Sequence, residues 1–127
     1  MKKIISTTAA PAAIGPYSQA VQLDHLVFFS GQIPLNPDTG ELVTGSISAE
    51  TEQVMKNMQA ALAGANLDFS HVLKTTIYLT SMDDFATVND IYGRFFPEQS
   101  PARACVAVAA LPKGCHIEIE WIASSQA

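Results

Sequence analysis

The sequence predicts an α+β sandwich, a mixed β-sheet carrying two helices on one of its faces. Three observations lead there. The chain has 127 residues, the size of one domain with a sizeable single core. Its hydrophobic spacing runs two strands, helix, strand, helix, two strands, so each half combines strands with one helix. No internal linker, low-complexity tract or short repeat interrupts residues 1–127, and 48% of them are hydrophobic, which marks a globular chain. A sheet with helices on one side has a second face to cover. Small residues near the C-terminus, Ala104, Ala107, Ala109 and Ala110, permit close approach there, and another subunit is the natural cover.

Ala9 to Pro16 holds two prolines and a glycine and reads as an extended lead-in to Tyr17. Ser18 to Leu23 alternates weakly, Asp24-His25 makes a tight turn, and Leu26 to Gly31 is a strongly apolar strand, together a β-hairpin. A glycine at the strand end, Gly31, lets another group approach the backbone or simply terminates the strand. Asn36-Pro37-Asp38-Thr39-Gly40 is a turn.

Ser48 is the expected N-cap of the first helix, with Glu50 and Glu52 in its first turn, where they complement the dipole. Val54, Met55, Met58, Ala61, Leu62 and Ala65 follow helical spacing, and Gly64 and Asn66 stop it. His71 to Thr80 is β-rich. The second helix opens near Ser81 or Asp83, carries the stripe Phe85, Val88, Tyr92, Phe95 and Phe96, and ends at Pro97. Asn89 lies beside that stripe. The last two strands run through Arg103 and Glu118, about a loop containing Pro112 and Gly114.

Seven basic against twelve acidic residues give a net charge of −5. That balance argues against nucleic-acid binding, which needs clustered Lys and Arg. The N-terminus lacks the apolar run of a signal peptide, and no stretch approaches a membrane span. Cys105 and Cys115 then read as reduced thiols in a cytoplasmic protein.

The residues leave few chemistries open. His25, His71 and His116 lie in separate elements without metal-ligand spacing, so no metal site is expected. Cys105, in an alanine- and valine-rich strand with no base in sight, reads as an inert thiol. Phosphate-loop, dinucleotide and Gly-x-Ser-x-Gly motifs are missing, leaving cofactor-free chemistry. Arg103 with Glu118 or Glu120 is the strongest constellation. A plain ion pair between neighbouring strands accounts for it most simply. In the functional alternative, Arg103 grips a substrate carboxylate with its planar fork while a nearby Glu handles water or a proton. That alternative needs Arg103 and Glu118 on one face. If the last two strands pair as a hairpin, an odd sum of facing residue numbers places them so.

Ala-Ile-Gly-Pro-Tyr-Ser-Gln-Ala (13–20), Phe-Ser-Gly-Gln-Ile-Pro (29–34), Asp-Phe-Ala-Thr-Val-Asn (84–89), Pro-Ala-Arg-Ala-Cys-Val (101–106), Leu-Pro-Lys-Gly (111–114) and Ile-Glu-Ile-Glu (117–120) together resemble the Rid family of reactive intermediate deaminases, also called YjgF. The likeness runs from about Pro11 to Ala123. It implies a chorismate-mutase-like α+β fold, a homotrimer packed through its sheets, and active-site clefts between subunits. It also implies hydrolysis of 2-imino acids such as 2-iminopropanoate and 2-iminobutanoate to 2-keto acids and ammonia. By that resemblance Arg103 binds the carboxylate and Glu118 positions or activates water. Tyr17 and Asn89 line the cleft, and backbone groups at Gly31 and Cys105 contact substrate or water. Trp121 and Gly114-Cys115-His116 depart from the family pattern, with cleft size or the trimer contact as the places where this would tell. A non-catalytic ligand-binding or regulatory module on the same fold is the competing reading.

Overall fold

Six strands form one sheet in the order β1-β2-β3-β6-β4-β5, in a computed structural model that describes residues 1–127. The strands are β1 (Lys3–Ile5), β2 (Ala20–Leu23), β3 (Leu26–Gln32), β4 (Val72–Leu79), β5 (Ala102–Ala107) and β6 (Ile117–Ser124). The helices are α1 (Ile47–Gly64) and α2 (Phe85–Phe95). All neighbours are antiparallel except β4 and β5, so the sheet is mixed. The expected α+β architecture is the observed one, with β1 added as a three-residue edge strand.

Local chemistry sets the elements. β2 and β3 form the expected hairpin, and Asp24 takes a left-handed conformation (φ 55°) at its turn, where Asp is tolerated. The cap of α1 is Ser46 rather than Ser48; its side chain accepts the Ala49 N–H at 3.0 Å. Pro97 follows α2 directly beyond Phe96. Val54, Met55, Met58 and Leu62 of α1 pack onto Ile77 and Leu79 of β4 and Ile117 and Ile119 of β6 within one core, and all eight are fully buried. Each contributes on the order of 1.5–3 kcal/mol. Trp121, on the helix side, is buried and stacks on Phe29 with ring centroids 4.7 Å apart. It fills the core rather than the open face.

The last two strands do not pair. β4 lies between β5 and β6, bonded to both, so the hairpin expectation fails. The reason is topological. β5 runs parallel to β4, which requires a crossover, and α2 supplies it. β6 then takes the central slot between β3 and β4, where Ile117, Ile119 and Trp121 are all buried. The connecting loop wraps the end of β4: Val108 N–H donates to Leu79 O at 2.8 Å and Thr80 N–H to His116 O at 3.2 Å.

Both helices lie on one face of the sheet. The other face is open and carries a row of facing residues, Ile4, Val21, Phe28, Ile122 and Lys74, of which Ile4 and Phe28 are about half exposed.

Candidate active site

Strand alternation divides the sequence-predicted residues into two groups. In register, Arg103 faces Thr75, which faces Trp121. That row points to the helices, because Thr75 and Trp121 are buried. Glu118 faces Tyr78, which faces Val106, three positions further along. This second row points to the open face, between the buried Ile117 and Ile119. Arg103 and Glu118 therefore lie on opposite sides of the sheet, about 10 Å apart along the strand direction alone. One chain does not bring them together, and the single-chain cleft is abandoned with the hairpin that implied it.

The first group centres on Arg103. Its Nη1 donates to Asn89 Oδ1 at 2.7 Å. The guanidinium lies over two rings of α2, 5.5 Å from the Phe85 centroid and 5.2 Å from that of Tyr92, a cation–π arrangement. Tyr92 is held in turn by a 2.8 Å hydrogen bond to Thr75 Oγ1. Asn89, Tyr92 and Arg103 open with Ser100 and Pro101 onto a recess of 410 Å³. Arg103 meets no carboxylate, so the plain ion pair that would explain it most simply is not made. Cys105 follows on the same side of β5, packed against the core. Burial pushes its thiol pKa up, against the pull of Arg103, so it holds its proton and is a poor nucleophile.

The second group centres on Glu118. Burial first, and Glu120 second, raise the Glu118 carboxyl above the usual carboxylate range. Glu120 accepts from the Tyr78 hydroxyl at 2.6 Å, and that bond leads in pushing the Tyr78 pKa up to about 12. Gly31 lies directly against Glu118, so a Cβ at residue 31 would overlap its carboxylate. The sequence left Gly31 open between strand terminus and close approach; close approach is what the geometry gives. Gly31 shares a recess of 460 Å³ with Tyr17, Ile14 and Lys113. Tyr17 is about half exposed there. The largest recess, 670 Å³ beside the N-terminal segment, contains Tyr17 as its one titratable side chain, which gives it little chemistry.

Chemically, the Arg103 side offers a guanidinium with free N–H donors at a recess, which can seat an anion. The Glu118 side offers a carboxyl raised by burial and by Glu120, which can exchange a proton with water closer to neutrality than an ordinary carboxylate. No cluster of three His, Cys, Asp or Glu side chains is placed to hold a metal. Sequence reasoning missed the aromatic bed under Arg103. The stripe of Phe85 and Tyr92 was visible, but only the β4–α2–β5 crossover tells that it lies beneath a cation.

Comparison with known proteins gives a consistent family. Residues 7–125 match the family described as Endoribonuclease L-PSP. The chain is 55% identical to Protein DfrA of Myxococcus xanthus, covering 98% of this chain and 96% of that one. It is 53% identical to the 2-iminobutanoate/2-iminopropanoate deaminase of Mus musculus, covering 97% and 91%. The crystal structure of a Rid-family protein from Yersinia pestis superposes with a TM-score of 0.96 at 48% identity, covering 98% and 99%.

Proposed function

The chain belongs to the Rid (YjgF, Endoribonuclease L-PSP) family, and on that premise we propose that it is a deaminase of small 2-imino acids whose cleft is completed by a second copy of itself. The observation that carries this reading is the separation of the two groups. An anion seat without a proton-handling group lies on one side of the sheet edge, and a carboxylate without an anion seat lies on the other. Packing of the open sheet face of one copy against the β5 edge of another joins them and covers Phe28 and Ile4. Repeated around a closed ring this gives a homotrimer, a symmetry of the kind usual among homo-oligomers.

The reaction adds water across a carbon–nitrogen double bond. Arg103 receives the substrate carboxylate on the guanidinium edge that Asn89 leaves free. The Glu118 carboxylate of the neighbouring copy takes a proton from water as its oxygen attacks the imine carbon. The same group returns that proton to the nitrogen, giving a carbinolamine. It then carries the carbinolamine hydroxyl proton to the nitrogen, so that the C=O bond forms as the C–N bond breaks and a 2-keto acid and ammonia leave. Tyr17 and the Gly31 backbone wall the cleft on the Glu118 side, and no cofactor enters the scheme. A reducing, cytoplasmic setting suits the two free thiols.

The family description raises ribonuclease activity. The charge opposes it: net −5, with Arg94 engaged by Asp90 and Glu52. A coupled assay tests the proposal. A pyridoxal-phosphate-dependent dehydratase generates 2-iminopropanoate, and keto-acid release is timed with and without this protein. Acceleration that disappears in Arg103→Ala supports a deaminase. Binding of carboxylates without acceleration would leave a non-catalytic module on the same fold.

A further inference from the structure

One buried carboxylate has no part in that reaction. Glu50, in the first turn of α1, is 3% exposed. Its two oxygens are both taken by one residue: His116 N–H donates to Oε1 at 2.8 Å, and His116 Nδ1 to Oε2 at 2.6 Å. A carboxylate serving only the helix dipole has no reason to leave water. Glu52, two residues on, stays at the surface beside Arg94. Burial of Glu50 carries a desolvation cost that these two donors offset, so the contact constrains both partners.

What it constrains is the point where the turn Pro112–Gly114 becomes β6. Cys115 is 1% exposed, and the His116 carbonyl accepts from Thr80 N–H. The N–H, carbonyl and ring of His116 are thus all engaged, two residues before Glu118. We propose that Glu50 and His116 are positioning residues for Glu118, a clamp that fixes where β6 begins and so holds the Glu118 carboxylate against Gly31. The proposal rests on the assignment of Glu118 as the water-handling group.

Two further observations favour it. Cys115, beside His116 in the chain, is buried and its Sγ donates to the Ile117 carbonyl at 3.5 Å, so the residues on either side of His116 are tied to one another at the start of β6. The Glu118 carboxylate rests directly against Gly31, and a displacement of about 1 Å at a reacting group can cost about a hundredfold in rate. Asp84 is the other charged side chain facing the recess beside the pair. Without the imidazole, Glu50 keeps a single donor and faces that second negative charge.

The His116 ring is 58% exposed, so replacing it does not open the core. His116→Ala removes the ring donor, while His116→Asn keeps an N–H at the position of Nδ1. Steady-state kinetics on 2-iminopropanoate and backbone hydrogen exchange at Ile117 to Ile119 are measured for both. His116→Ala is expected to lower kcat roughly tenfold, within the range for a displaced reacting group. KM should stay within about twofold, because Arg103 lies on another strand, and exchange should quicken at the start of β6. His116→Asn should restore both. Unchanged exchange in His116→Ala overturns the clamp whatever the kinetics do. Faster exchange with an unchanged kcat, or equal loss in both variants, overturns the positioning role. A wild-type protein without imine hydrolysis defeats the functional reading alone, and exchange then decides the clamp by itself.

Discussion

Within the chain, Arg103 donates a hydrogen bond through Nη1 alone, to Asn89, and its guanidinium lies over the rings of Phe85 and Tyr92. The rest of its fork is available to a carboxylate. Arg103→Ala should remove a charge-assisted contact worth about 1.5–3 kcal/mol, a loss on the order of 10- to 100-fold in kcat/KM. Arg103→Lys should recover part of it, since Lys lacks the fork and the flat stacking surface. Kinetics on 2-iminopropanoate measure both. Glu118 makes a prediction of a different kind. Its folded-state pKa is raised by burial and by Glu120. Such a group contributes stability below its unfolded pKa and loses it as pH rises through the folded pKa. Glu118→Gln, which cannot ionise, should therefore unfold at a higher denaturant concentration than wild type at pH 7. The difference should fade below about pH 4, where the wild-type carboxyl is protonated too. A stability difference that grows on acidification would reverse the assigned shift.

At the scale of elements, much was legible in the sequence. The apolar spacing of Val54, Met55, Met58 and Leu62 marked α1, and all four are buried. The Asp24-His25 turn marked the β2–β3 hairpin. The misses have physical causes. β1 has only three residues and depends on pairing with β2, so its own pattern is too short to announce it. Ser46 and Ser48 are equally suited to cap a helix, and only the bond to Ala49 distinguishes them. The partner of β6 was unreadable because strand alternation fixes faces and not neighbours. Glu50 matched a helix-dipole carboxylate, and its actual partner, His116, is 66 residues away. Gly31 offers the test at this scale. Its contact with Glu118 is a matter of space, since an added methyl would overlap the carboxylate. The carboxylate is the flexible end of its side chain and will move aside. Gly31→Ala should therefore lower kcat by at least tenfold, in keeping with the cost of misplacing a reacting group, while leaving thermal stability near wild type. Full activity in Gly31→Ala would free Glu118 from this wall.

For the whole molecule, the fold answers a question that its individual residues leave open. α1 and α2 cover one sheet face, and the other presents Ile4, Phe28 and Val106 about half exposed beside the buried-leaning Glu118 and the Tyr78–Glu120 bond. Arg103 is on the far side of the same sheet. The central claim is that the two halves meet only between copies. Mixing two crippled variants tests it most directly. Arg103→Ala lacks the anion seat, and Glu118→Gln lacks the proton-handling group. After co-refolding at equal amounts, with native mass spectrometry verifying mixed assemblies, an anion seat from the Glu118→Gln copy can face a Glu118 from the Arg103→Ala copy. Random assembly into closed rings then restores about one quarter of the wild-type sites, and the mixture should recover about that fraction of wild-type activity. Mixed assemblies no more active than the two parents would contradict the account.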